Sequence, residues 1–305
     1  MSDDVPSASD IPAGGWVDRL LPGGFRPYAR LARLDRPIGT WLLLFPCWWS
    51  LSLAAPGWPD PWLFGLFGLG ALVMRGAGCT FNDIVDRDFD GRVARTADRP
   101  IPSGAVTVNQ AKAFLVAQLL VGLSILVQFN TYAIAVGVAS LILVFTYPFM
   151  KRITCWPQAV LGLTFNWGAF LGWAAVTGNL GPPAFALYAA GFFWTLGYDT
   201  IYAHQDKEDD LFVGVKSTAL RLGDATRPWL FVFYGVAVFL MVVAGSQAGL
   251  AWPYYAALAV ATLQLVWQAT RVDTEDAADC LAKFKSNRLF SWILLGGIIA
   301  GQLAK

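Results

Sequence analysis

The sequence predicts an all-α fold, a polytopic membrane helix bundle of about nine transmembrane helices. Three observations carry the prediction. The 305 residues are 56% hydrophobic and only 14% charged, whereas a soluble globular domain is about 25% charged. Mean hydropathy is +0.51, and apolar runs of about 17–23 residues, the length that crosses a bilayer core, recur along the chain. Basic residues fall almost entirely on alternate links between those runs. A net charge of +1 gives no general attraction for nucleic acid.

In chain order the runs occupy residues 38–55, 61–82, 110–128, 131–147, 156–178, 183–203, 228–247, 252–270 and 289–304. Pro56-Gly57-Trp58-Pro59 closes the first, since proline and glycine punctuate helices. An acid-rich segment starting at Asn82 closes the second. The short link Gln128-Phe129-Asn130 divides the third from the fourth, and Lys151 with Arg152 follows the fourth. Thr177-Gly178-Asn179 and Gly181-Pro182-Pro183 make the turn after the fifth. A second acid-rich segment closes the sixth. Gly249-Leu250-Ala251 divides the seventh from the eighth, and a basic link precedes the ninth.

Of the 22 Lys and Arg, twenty lie on one side. Arg19, Arg26, Arg30, Arg33 and Arg36 precede the first span. Arg87, Arg92, Arg95, Arg99 and Lys112 follow the second, and Lys151 and Arg152 the fourth. Lys207, Lys216, Arg221 and Arg227 follow the sixth; Arg271, Lys283, Lys285 and Arg288 follow the eighth. Lys305 falls on the far side and Arg75 within a span. The positive-inside rule makes the basic side cytoplasmic, with the N-terminus inside and the C-terminus opposite. The expected location is a bacterial inner membrane.

Residues 1–27 read as a tail and interfacial segment. Met1 to Pro6 has no basic or apolar region of a signal peptide, and Trp16 to Tyr28 mixes aromatics with arginine, as at a membrane surface. Residues 28–305 read as one transmembrane domain. Cys47, Cys79, Cys155 and Cys280 lack C-x-x-C spacing and read as small apolar residues. His204 alone cannot build a histidine metal site.

The functional signal lies in the two acid-rich segments, Asn82 to Asp90 and Asp206 to Asp210. Asn82, Asp86 and Asp90 are spaced by four, so a helix stacks them on one face, and Asp206 and Asp210 repeat the spacing. Carboxylates at the membrane are costly, about 2.5–3.5 kcal/mol each at the bilayer centre, and need a counter-charge. Mg²⁺ answers that need: it takes one or two carboxylates together with phosphates. Arg87, Arg92, Arg95, Arg99, Lys151 and Arg152 share this side, and arginine and lysine bind phosphate. Arg75, about 10.5 Å up the axis from Asn82, faces the same side as the stripe. It pairs with an acid or holds a substrate carboxylate.

Plainer readings exist. A solvated loop of mixed charge accounts for Asp88, Glu208 and Asp209, and any single arginine here can serve orientation alone. Asp86 to Gly91 opens like a calcium loop, but its twelfth position is Ala97 rather than a bidentate Glu.

With these residues the chain resembles the UbiA superfamily of intramembrane prenyltransferases, most closely its 4-hydroxybenzoate branch. Asn82, Asp83, Asp86 and Asp90 match the family's N-D-x-x-D-x-x-x-D motif, and Asp206 and Asp210 its D-x-x-x-D motif. The runs Arg33 to Gly39, Arg99 to Gly104, Tyr147 to Arg152 and Gly197 to Thr200 are also similar. The resemblance covers nearly everything after residue 28. It implies a bundle around a central cavity with the two motifs facing each other. It implies Mg²⁺ held by Asn82, Asp86, Asp90, Asp206 and Asp210. The implied reaction joins a polyprenyl diphosphate to 4-hydroxybenzoate, ortho to its hydroxyl, in ubiquinone synthesis.

On this reading Arg87, Lys151 and Arg152 stabilise the leaving diphosphate, Asp199 takes the phenol proton, and Arg36 or Arg75 holds the benzoate. Tyr147 and Tyr198 are candidates for stabilising the allylic cation. The rivals are a sibling enzyme with a naphthoate, homogentisate or haem acceptor, an ion-coupled secondary transporter, and a purely structural membrane protein. Transporters place their acids near the midplane, and a structural protein leaves the acid stripes unexplained.

Overall fold

The computed structural model describes residues 11–12, 14–92, 95–207, 214 and 216–305. Among them every regular element is helical. In order these are α1 (Trp16–Leu20), α2 (Arg26–Leu31), α3 (Ile38–Ala54), α4 (Pro61–Asp90), α5 (Val108–Leu126), α6 (Thr131–Ile153), α7 (Pro157–Phe165), α8 (Gly168–Thr177), α9 (Pro182–His204), α10 (Thr218–Leu222), α11 (Thr226–Gln247), α12 (Trp252–Arg271) and α13 (Ala277–Leu303). All nine predicted runs are helical, and five described spans are long and apolar enough to cross a membrane.

The boundaries follow local chemistry. Asn130 caps α6 by accepting from the Ala133 N–H at 2.9 Å, and Gly178, at φ 69°, ends α8 in the left-handed conformation glycine supplies. Three departures from the sequence reading have physical causes. First, α6 runs through Pro148 to Ile153, placing Lys151 and Arg152 where the helix dipole favours cations. Second, the predicted run 156–178 is two helices, broken at Asn166 and Trp167, where Asn166 Nδ2 donates to Gly162 O (2.9 Å) and Thr195 Oγ1 (2.7 Å). Third, α13 starts at Ala277, twelve residues before the expected 289, because Asp276 accepts from the Ala278 N–H at 2.8 Å and caps it.

The chain divides into two compact units, residues 1–39 with 72–124 and residues 40–71 with 125–305. In the first, Leu31, Ile84, Ile101, Val106 and Ala111 form an apolar cluster packed by Tyr28, Val108, Phe114 and Leu115. Thr80 Oγ1 bridges the membrane helices by donating to Gly76 O (2.9 Å) and meeting Gln118 Oε1 (3.1 Å).

In the second unit, α9 packs on α7, α11 and α13, and α12 packs on α13. Its centre is aromatic: Trp49, Trp194 and Phe290 are wholly buried. Trp49 lies 5.1 Å from Trp194, and Trp194 lies 5.4 Å from Phe290, centroid to centroid. The buried indoles keep partners, Trp49 on Ser291 O (3.0 Å) and Trp194 on Asn287 Oδ1 (2.9 Å), as buried N–H groups require. Cys47, Cys79 and Cys280 are buried and all four cysteines are free, as small apolar residues would be.

Small residues set how closely these helices approach, as is usual in membranes. A Cβ on Gly172 would stand 2.4 Å from Cys47 O. Gly172→Ala is expected to destabilise the protein by about 1–3 kcal/mol through overpacking. Gly235→Ala, where a Cβ meets nothing within 4 Å, is the control. Thermal unfolding in detergent should show a lower midpoint for the first only; equal midpoints would contradict the close crossing.

Candidate functional site

The first acidic segment lies inside α4, which remains helical through Asp90. The expected stripe of Asn82, Asp86 and Asp90 therefore exists. Asp86 is fully buried, Asp90 nearly so, and Asn82 half-buried. Asp83, one residue round the helix, is fully buried as well.

Two arginines brace this cluster. Arg33 Nη2 donates to Asp83 Oδ1 at 2.7 Å, and Arg99 Nη1 lies 3.4 Å from the same oxygen and 3.0 Å from Asp90 Oδ2. The result is a chain of alternating charge, Arg33–Asp83–Arg99–Asp90. Thr96 Oγ1 adds a bond to Asp90 O at 2.8 Å, securing the turn that brings Arg99 back. Arg33 has φ 58°, the one left-handed non-glycine residue among those described.

The expected aromatic-acid residues belong to the same unit. Arg36 lies 3.7 Å from Asp35 Oδ1. Arg75 packs its guanidinium on Gly39, where a Cβ would stand 2.5 Å from Nε. Gly39 is thus bare so that Arg75 can lie against the start of α3.

Arg87 stands apart. It is exposed, donates to Ile84 O at 3.0 Å and pairs with Asp88 at 3.4 Å. Asp88 is solvated, with its side chain 71% exposed, but it lies within α4 rather than in the loop that the sequence reading expected.

In the second unit Asp199 and Tyr198 lie on α9. Tyr198 is buried, its hydroxyl 3.1 Å from Thr195 Oγ1 and its ring edge-on to Trp194 and Phe284. Asp206 corrects the reading that it shares a helical face with Asp199. α9 ends at His204, and the Gln205 and Asp206 N–H groups bond to Tyr202 O (3.0 Å) and Ala203 O (3.3 Å). Those three-residue bonds close the helix end, so Asp206 lies just beyond the helix that carries Asp199. Asp210 lies outside the described residues.

Lys151 is half-buried, Tyr147 likewise, and Arg152 is exposed. Lys216, which sequence reasoning counted only for orientation, secures their helix end. Its N–H bonds Lys151 O at 3.0 Å and its ammonium bonds Ile153 O at 3.2 Å. Lys207, beside Asp206, pairs with exposed Glu275 at 3.1 Å.

The donors are hard oxygens, and carboxylate and amide oxygens suit Mg²⁺. Among the described residues no three of His, Cys, Asp and Glu gather into a complete metal centre.

Residues 43–294 match the family model described as the UbiA prenyltransferase family. The chain is 54% identical over 295 residues to the mitochondrial 4-hydroxybenzoate polyprenyltransferase of Arabidopsis thaliana, covering 96% of this chain and 72% of that one. The human enzyme of the same name is 51% identical over 287 residues, 93% of this chain and 77% of that one. The 4-hydroxybenzoate geranyltransferase 1 of Lithospermum erythrorhizon is 50% identical over 289 residues, 94% of each.

Among solved structures, a UbiA homolog from Aeropyrum pernix K1 matches with a TM-score of 0.71 at 24% identity, over 85% of this chain and 96% of that one. An Archaeoglobus fulgidus homolog bound to GPP and Mg²⁺ matches at 0.62 and 18% identity, over 92% of this chain and all of that one. These likenesses establish the fold.

One expectation is overturned. The Arabidopsis, rat and human relatives are mitochondrial by name, which conflicts with a bacterial inner membrane; what stands is a multi-pass membrane protein. Loop charge distinguishes the two sides of a membrane and does not name the membrane.

Removing Arg99 leaves two buried carboxylates short of a partner. Arg99→Ala should lower stability by about 3–5 kcal/mol, whereas exposed Arg87→Ala should stay within about 0.5 kcal/mol. Unfolding in detergent measures both; equal losses would remove the distinction drawn between these arginines.

Proposed function

The chain belongs to the UbiA prenyltransferase family, and from that premise we propose that it transfers a polyprenyl group from its diphosphate to 4-hydroxybenzoate. The new bond forms at the ring carbon ortho to the hydroxyl, in ubiquinone synthesis. The observation that carries this reading is the acid face of α4, set at the end of an apolar helix and braced by Arg33 and Arg99. Oxygen donors at a membrane edge suit a substrate with an anionic head and a long apolar tail. The 4-hydroxybenzoate enzymes at 50–54% identity support the acceptor.

Asn82, Asp86, Asp90, Asp206 and Asp210 are the residues to hold Mg²⁺. When bound, that ion neutralises charge growing on the leaving diphosphate. Asp90 Oδ2 already accepts from Arg99, which orients the carboxylate. Lys151, Arg152 and Arg87 bind the diphosphate oxygens as the allylic C–O bond breaks. Arg36 and Arg75 hold the benzoate carboxylate. Asp199 accepts the phenol proton, enriching the ring for attack on the allylic carbon. The C–C bond forms, the ring proton leaves and diphosphate is released. Tyr147 and Tyr198 offer aromatic faces to the cation, worth about 0.5–2 kcal/mol.

The deciding experiment supplies membranes with Mg²⁺, a polyprenyl diphosphate and 4-hydroxybenzoate against competing acceptors, and identifies the product by mass. Prenylated 4-hydroxybenzoate is expected; exclusive use of a naphthoate or homogentisate refutes the acceptor. Excess EDTA should stop turnover, and activity that survives it refutes the metal. Asp86→Asn should abolish turnover in folded protein. Arg36→Ala should raise KM for the aromatic acid more than for the diphosphate; the reverse pattern removes Arg36 from the acid site.

A further inference from the structure

Asp83 belongs to the acid motif yet lies off the stripe made by Asn82, Asp86 and Asp90. A one-residue step turns about 100° around a helix. Its carboxylate is fully buried, and Oδ1 takes both arginines, Arg33 at 2.7 Å and Arg99 at 3.4 Å. Its other oxygen is buried and accepts no hydrogen bond in the structure. One oxygen of this acid is thus committed to the arginines rather than to the stripe.

Each arginine leads to a different part of the chemistry. Arg99 reaches on to Asp90 Oδ2 at 3.0 Å. It therefore divides one guanidinium between Asp83 and a residue assigned to the metal. Arg33 leads the other way. Its left-handed backbone, φ 58°, is strained for an L-residue with a side chain, and such outliers persist only where their surroundings hold them. Here the Asp83 ion pair holds the side chain while Arg33 Nη1 bonds Arg30 O at 3.0 Å. The Arg36 N–H then bonds Arg33 O at 3.2 Å, and Gly39 follows beneath the Arg75 guanidinium. The bend at Arg33 thus sets the path of the segment that carries Arg36 and the Gly39 against which Arg75 packs.

We propose that Asp83 is a positioning residue that joins the metal side of the site, through Arg99 and Asp90, to the aromatic-acid side, through Arg33 and the 33–39 segment. The proposal rests on the assignment of Asp90 to metal and of Arg36 and Arg75 to the acid. Two arginines and two aspartates balance in charge. Replacing Asp83 by Asn removes the carboxylate that anchors Arg99, so Asp90 loses the fixed guanidinium that orients it for a metal ion. The same change releases Arg33, and the acid segment loses its anchor. Asp83 therefore governs two ligands without touching either.

The test is a pair of binding titrations on the purified full chain in detergent. One follows 4-hydroxybenzoate by calorimetry, and the other follows Mg²⁺ with saturating inorganic diphosphate. Asp83→Asn should weaken both by about tenfold, on the order of one charge-assisted hydrogen bond lost at each arm. Arg99→Lys should weaken Mg²⁺ binding and spare the acid; Arg33→Lys should do the opposite. Asp83→Asn that leaves either affinity at the wild-type value overturns the link. So do the two lysine variants if both weaken the same ligand, or both ligands equally, which a merely structural network would produce. If Asp83→Asn fails to fold, the lysine variants decide alone. Wild-type protein that binds neither ligand refutes the functional assignment itself, whereas binding by wild type without the arm-specific losses refutes only the role of Asp83.

Discussion

Carboxylates at the end of a membrane helix require positive partners, and α4 meets that requirement with Arg33 and Arg99. A lone buried carboxylate costs several kcal/mol. Here Asp83 and Asp90 share Arg99, and Arg33 completes the set. Such an arrangement adds little net stability over an apolar core of the same volume, but it is costly to break from one side. Its effect is to fix geometry. It keeps α4 helical through Asp90, so that Asn82, Asp86 and Asp90 occupy one face, and it draws in the turn from Thr96 to Arg99 and the bend at Arg33.

The larger unit is held differently. Its helices approach through bare glycines, with Gly168 and Gly172 against Cys47, and its centre is filled by Trp49, Trp194 and Phe290. Polar side chains buried within it are joined to one another. Tyr234 donates to Gln268 (2.7 Å), Gln268 donates to Ser286 (3.1 Å), and Asn287 accepts from Trp194 (2.9 Å). In a bilayer an unmet polar group has no water to turn to. A rigid frame of this kind suits α9, which carries Tyr198 and Asp199.

What could be read from the sequence follows from how local each interaction is. The helical runs and their order were legible because apolar length is a local property, and the α4 stripe was legible because four-residue spacing is too. The partners of Asp83 were not. Arg33 is fifty residues away, and in sequence it counted as an orienting cation at the head of a family-like run, with nothing to mark Asp83 as its partner. The break at Asn166 was missed because an apolar run carries no mark of where a side-chain amide will cap it. The early start of α13 was hidden by Lys283, Lys285 and Arg288, although Asp276 at the N-cap was an available signal. The extrapolation from Asp199 to Asp206 assumed that the helix continues past His204, where α9 ends.

The central claim is that Asn82, Asp86 and Asp90 face the metal while Asp83 stays committed to the arginines. An experimental structure with Mg²⁺ and a non-reactive prenyl diphosphate analogue tests it most directly. The account predicts metal density against the Asn82, Asp86 and Asp90 oxygens, with Asp83 still bonded to Arg33 and Arg99. Metal coordinated by Asp83, with either arginine displaced from it, would contradict the account.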